Sequence, residues 1–128
     1  MTDTRLSFKE MCAQFDVTPR TLRYYEYIEL LAPEKDGRAR WYTAREVARM
    51  KLILRGRRFG FSLEEIRQWL LMYQQKGTAP QLQNFVELAD RQLAVLEEQQ
   101  AQLNATITEL RSLRDESAKA ADHGQKAL

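Results

Sequence analysis

The chain has 128 residues, 44% apolar and 30% charged, enough for about one domain with a core and too mixed in charge for a disordered polyelectrolyte. Three Pro and five Gly exclude a turn-rich all-β sandwich, one cysteine excludes an intramolecular disulfide, and the absence of a membrane-length apolar run or a secretory pattern at MTDTRLSFKE points to the cytosol. The net charge of +2 divides unevenly: residues 1–60 hold thirteen Lys/Arg against eight Asp/Glu and residues 61–128 hold seven against ten, so an anionic partner is expected at the N-terminal end.

Ser7, with Glu10 three residues on, predicts a capping box that opens a first helix. Phe8, Met11, Cys12 and Phe15 form one apolar face of it. Asp16-Val17 breaks this helix. Thr18 then caps a second, with Pro19 at its first position, where a missing N–H costs nothing. Leu22, Tyr25 and Ile28 read as its inner face. Two short helices on a tight turn form a helix-turn-helix, whose second helix usually enters the major groove. Asp36-Gly37 predicts a hairpin turn, and Arg40-Trp41-Tyr42-Thr43 a strand, so a wing follows.

A third helix is expected from about Ala44 to Arg58, with Val47, Met50, Leu52, Ile53 and Leu54 inward and Gly60 as its stop. Ser62 and Glu65 predict a second capping box, and Ile66, Trp69, Leu70 and Tyr73 an apolar face. The stretch from Gly77 to Pro80 breaks the chain. Beyond it, steps of four and three pick out Leu82, Val86, Ala89, Leu93, Leu96, Gln100, Leu103, Ile107, Leu110 and Arg114. Eight of these ten are apolar, which is a coiled-coil seam. A helix from Gln81 to Glu116 needs a partner helix, most simply from a second copy of the chain. Gln100, polar at mid-seam, reads as a register-setting residue. The fold class is mainly α: a winged helix-turn-helix head over 1–77, a dimerisation helix over 78–116 and a disordered tail over 117–128.

TPRTLRYYE (Thr18 to Glu26), L-x-P (Leu31, Pro33), RARWY (Arg38 to Tyr42) and RRFGFSLEEI (Arg57 to Ile66) together resemble the MerR family of bacterial transcription regulators. The match covers about residues 6–75. The resemblance implies an antiparallel coiled coil in a homodimer that sits on a palindromic promoter. It also implies that the dimer shares that promoter with RNA polymerase and controls transcription by distorting and untwisting the DNA, in answer to a small-molecule effector. RMKLILRGRRFGFSLEEI (Arg49 to Ile66) looks like the branch that controls branched-chain amino acid and fatty acid breakdown genes. A cytoplasmic bacterial protein follows.

The expected DNA-binding set is Thr18, Arg20, Thr21, Arg23, Tyr24, Tyr25, Arg38, Arg40, Tyr42 and Arg57. Arg20 and Arg23 lie on the outer face of the second helix, where an arginine fork reads guanine; either could hold a base or a phosphate. Of the adjacent Tyr24 and Tyr25, the spacing from Leu22 makes Tyr25 the core candidate, and the family's habit keeps both near the DNA backbone. Arg38, Arg40 and Tyr42 alternate and so share one face, expected to be exposed toward DNA, with Trp41 opposite in the core. Arg57 matches the position that holds a phosphate in the family, although cations at a helix C-terminus also complement its dipole. Cys12 reads as a buried small hydrophobe and His123 as uninvolved. The metal-sensing branches of the family that the sequence resembles place paired cysteines at and beyond the end of the dimer helix; this chain has none there, so thiolate coordination of copper, mercury or zinc is not expected. No metal site and no cofactor are expected. No nucleophile–base pair or phosphate loop supports an enzyme. The alternative is a coiled-coil scaffolding or interaction protein with a basic head; the arginines of the second helix and wing argue against it.

Overall fold

The computed structural model describes residues 5–124. Its elements run β1 (Leu6–Ser7), α1 (Phe8–Phe15), α2 (Pro19–Tyr27), β2 (Glu34–Asp36), β3 (Ala39–Tyr42), α3 (Ala44–Phe59), α4 (Leu63–Gln75) and α5 (Ala79–Asp122). Local signals account for most boundaries. Ser7 and Glu10 exchange both bonds of a capping box, as do Ser62 and Glu65. The Thr18 hydroxyl accepts from the Thr21 N–H at 3.1 Å, with Pro19 in the first turn of α2. Gly60, at φ 91°, ends α3 in the left-handed region.

The wing has one strand more than the sequence predicts. β1 pairs antiparallel with β3, Leu6 opposite Tyr42 and Ser7 opposite Trp41, so the sheet order is β1-β3-β2. β2 pairs β3 with Asp36 opposite Ala39, which leaves Gly37-Arg38 as the two-residue turn. Gly37 takes φ 62° and Arg38 does not, the pattern of a turn that needs glycine first.

Met11 of α1, Leu22 and Tyr25 of α2, Tyr42 of β3, Met50 and Ile53 of α3, and Ile66, Trp69 and Leu70 of α4 form the core, with Leu30, Leu31 and Phe61 from the connections. Val47, Leu52 and Leu54, expected inward, are half-buried. Tyr73, also expected inward, is 60% exposed, with its ring edge-on to Trp69. The exit from α2 is held from three sides. Arg67 donates to the Ile28 carbonyl, Arg49 donates twice to the Leu30 carbonyl at 3.1 and 3.0 Å, and Glu46 accepts the Ala32 N–H at 2.6 Å. These bonds satisfy backbone groups that the turn after the helix leaves without ladder partners, and so fix the direction of α2.

The chain forms two compact units, Met1–Gln83 and Asn84–Leu128. The first turn of α5 therefore belongs to the first unit, past the boundary expected after residue 77. Thr78 and Gln81 cap α5 reciprocally, a capping box the sequence reading passed over. The helix is 44 residues long, about 66 Å. It reaches Asp122, so residues 117–122 of the expected disordered tail are helical; residues 125–128 lie outside the described ones. Helix propensity explains the extension, because Ser117-Ala118-Lys119-Ala120-Ala121 contains neither Gly nor Pro.

Candidate nucleic-acid interface

On α2, Arg20, Arg23, Tyr24 and Tyr27 recur at steps of three and four and share one face, while Leu22 and Tyr25 point into the core. Tyr24 is 49% exposed and Tyr27 83%. An exposed tyrosine beside arginines offers a hydroxyl donor and a flat apolar face, both suited to a sugar-phosphate backbone. Arg20, Thr21, Arg23, Tyr24, Tyr25 and Tyr27 line an open depression of about 520 Å³, closed by Arg57 near the end of α3 and Leu63 at the start of α4. Five residues expected from α2 thus meet the one expected from α3. Tyr27 and Leu63 were missed; the four-residue step from Arg23 to Tyr27 is the signal that could have found the first.

Thr18 is not part of the depression. Its hydroxyl accepts from the Thr21 N–H and donates to Thr21 Oγ1 at 3.0 Å, so the cap uses both its functions. Arg38 is exposed in the wing turn.

The expected outer face of the wing requires correction. Tyr42 is fully buried, and its hydroxyl donates to Glu26 Oε2. Arg40, on the same side of the strand, makes a 3.2 Å ion pair with Glu26 and lies over the Phe8 ring. Trp41, expected in the core, is half-buried on the other side, with the Arg5 guanidinium 5.3 Å from its ring centroid. Alternation defines two faces but not which one is inner. Here α1 and α3 pack on β3 and select the Tyr42 face. Burial first, then the Glu26 carboxylate, raises the Tyr42 pKa far above the usual phenol range, so this hydroxyl is a fixed donor. Cys12 is half-buried on α1, and burial raises its thiol pKa. Among the described residues no group of three His, Cys, Asp or Glu side chains could hold a metal ion.

On α5, Val86, Leu93, Leu103, Ile107 and Leu110 are 42–64% exposed and Leu96 37%. Leu82, in the first unit, is 51% exposed. Gln100 is exposed and Ala89 half-buried. No described helix is long and apolar enough to cross a membrane.

The family model for MerR HTH family regulatory proteins matches residues 6–73, and that described as MerR, DNA binding matches residues 47–113. The HTH-type transcriptional regulator HmrR of Rhizobium leguminosarum bv. viciae is 44% identical over 61 residues, 47% of this chain and 47% of that protein; the chain thus spans about half the length of this relative. An uncharacterised HTH-type transcriptional regulator of Pseudomonas aeruginosa is 32% identical over 124 residues, 94% of this chain and 86% of that protein. The fold is that of HiNmlR, a MerR family regulator lacking the sensor domain and solved on promoter DNA, with a TM-score of 0.75 at 19% identity over 95% of this chain and 92% of that one. Because each family model spans more than half of the sequence and the Pseudomonas relative nearly all of it, the chain belongs to the MerR family of helix-turn-helix transcription regulators.

Proposed function

We propose that this chain binds double-stranded promoter DNA as a homodimer and regulates transcription from it. The observation that carries this reading is the depression where Arg20, Arg23 and Tyr24 of the second helix of the helix-turn-helix meet Arg57 of α3. Cationic forks, hydroxyls and exposed rings on one surface match the chemistry of phosphates and base edges. In this reading α2 enters the major groove, and Arg57 and the wing hold the backbone. HiNmlR, bound to promoter DNA in its own structure, supports the same use of the fold.

The exposed leucines of α5 support dimerisation, since a bare seam of this kind is an apolar patch that a second helix would cover. Leu82, Val86, Ala89, Leu93, Leu96, Gln100, Leu103, Ile107 and Leu110 would make that contact, with the helices antiparallel. A two-fold dimer calls for a palindromic operator. The family reading adds RNA polymerase on the same promoter, activation or repression by distorting the DNA, a small-molecule effector and a cytoplasmic setting. No cofactor and no catalytic chemistry enter this scheme.

Mobility-shift titration on the DNA upstream of the protein's own gene tests it. If each subunit neutralises about four phosphates, log K should fall with log salt at a slope of roughly −7 for the dimer. Absence of a shifted complex at micromolar protein and low salt would return the chain to the scaffolding alternative.

A further inference from the structure

Phe8 stands at the start of α1, outside the set of expected DNA-binding residues. Yet the Arg23 guanidinium lies 5.3 Å from its ring centroid and the Arg40 guanidinium 5.5 Å, both inside cation–π range. One arginine belongs to the recognition helix and the other to the wing. The geometry points to Phe8 as a positioning residue whose ring seats both arginines, with Glu26 holding Arg40, so that helix and wing engage DNA as one coupled unit. This rests on the DNA-binding reading above and concerns how that site is organised.

An arginine free in solvent must be ordered when it binds, at a cost in side-chain entropy. A ring already beneath the guanidinium removes part of that cost. Two cations gathered on one ring repel, and Glu26 offsets the repulsion. One of its oxygens pairs with Arg40 Nε at 3.2 Å, and the other accepts from the buried Tyr42 hydroxyl. The Arg40 side chain remains 35% exposed beside this pair, so its guanidinium can still meet a phosphate. The ring itself has little freedom to drift. Phe8 follows directly on Ser7, which pairs with Trp41 in the sheet and is locked by the capping box with Glu10. Phe8 is therefore tied to the wing strand through backbone and to α2 through Arg23. Two arginines that share one ring are expected to couple energetically, whereas separate surface arginines add.

The test uses the full-length chain, a duplex that the wild-type chain selects from a random-sequence pool, and an unselected duplex of equal length. The readout is the ratio of the two affinities. Phe8→Leu should lower that ratio roughly threefold to tenfold, the loss of one or two cation–π contacts, and Phe8→Tyr should keep it. In affinity for the selected duplex, Arg23→Ala and Arg40→Ala should be non-additive in the wild-type chain and additive with Phe8→Leu. Additivity in the wild-type chain overturns the proposal, and this arm does not depend on how well Phe8→Leu folds. Equal losses in Phe8→Leu and Phe8→Tyr also overturn it. If the wild-type chain selects a duplex and Phe8→Leu keeps the full ratio, only this proposal falls. A wild-type chain that enriches no duplex removes the DNA-binding reading as well.

Discussion

Gly56 of α3 and Ile66 of α4 meet so closely that a Cβ on the glycine would lie 2.7 Å from Ile66 Cγ1 and 3.1 Å from its Cδ1. Gly56 is therefore where the two helices touch, although mid-helix glycine costs about 1 kcal/mol relative to alanine. Ile66 is fully buried, and Cγ1 is the root of its longer branch, so it cannot swing aside. Overpacking of this kind costs about 1–3 kcal/mol. Gly56→Ala is expected to lose about 1 kcal/mol net, seen as a lower urea midpoint with an unchanged m value. A more stable variant would mean that the α3–α4 contact gives way easily.

Tyr42→Phe removes the donor to Glu26 Oε2, on a side chain only 11% exposed. A loss of about 1–3 kcal/mol is expected at neutral pH. The phenol pKa is raised in the folded chain, so its contribution is complete below the unfolded value of about 10 and is lost as pH rises above it. The stability gap between wild type and variant should therefore narrow between about pH 9 and about pH 11 in paired urea titrations. A gap that stayed constant over that range would show that the phenol ionises alike in both states.

The sequence made most of the fold legible because its boundaries are local events. Ser7-Glu10, Thr18-Pro19, Gly60 and Ser62-Glu65 each specify a terminus by their own chemistry, and all four form as expected. The α2 part of the site was legible for a similar reason, since helical spacing places Arg20, Arg23 and Tyr24 on one face. The wing was not. Leu6-Ser7 is too short to read as a strand, and its pairing with Trp41 and Tyr42 is a contact across more than thirty residues. Without that pairing, two adjacent aromatics leave the inner face undecided, and Tyr42 and Trp41 were exchanged. The contacts of Glu26 with Arg40 and Tyr42, and of Phe8 with Arg23 and Arg40, were not legible because each spans fourteen residues or more.

Leu96→Glu tests the seam. Leu96 lies near the middle of α5 and is 37% exposed, so a single chain should tolerate the charge. In an antiparallel dimer the substituted residues would lie close together near the two-fold axis, burying like charges at a high desolvation cost. Light scattering should then show monomers where the wild type gives dimers, with thermal melting of the head preserved. Operator affinity should fall in step with dimer loss. A Leu96→Glu chain that remained dimeric at micromolar concentration would move the interface away from 82–110.

Arg23 is expected to carry sequence information, and Arg57 only charge. Arg23 lies one turn into α2, and the first residues of a recognition helix are those that reach base edges. Its fork satisfies two guanine acceptors at once, whereas lysine presents a point charge on a flexible stem. Arg23→Lys should cost about 1–3 kcal/mol on the selected duplex and little on unselected DNA. Arg57→Ala should weaken both alike and flatten the salt slope by about 0.9 per subunit. Competition binding on the two duplexes at several salt concentrations separates these outcomes. Equal losses on both for Arg23→Lys would make Arg23 a phosphate clamp. Base readout would then pass to Arg20, Thr21 or Tyr24, which line the same depression.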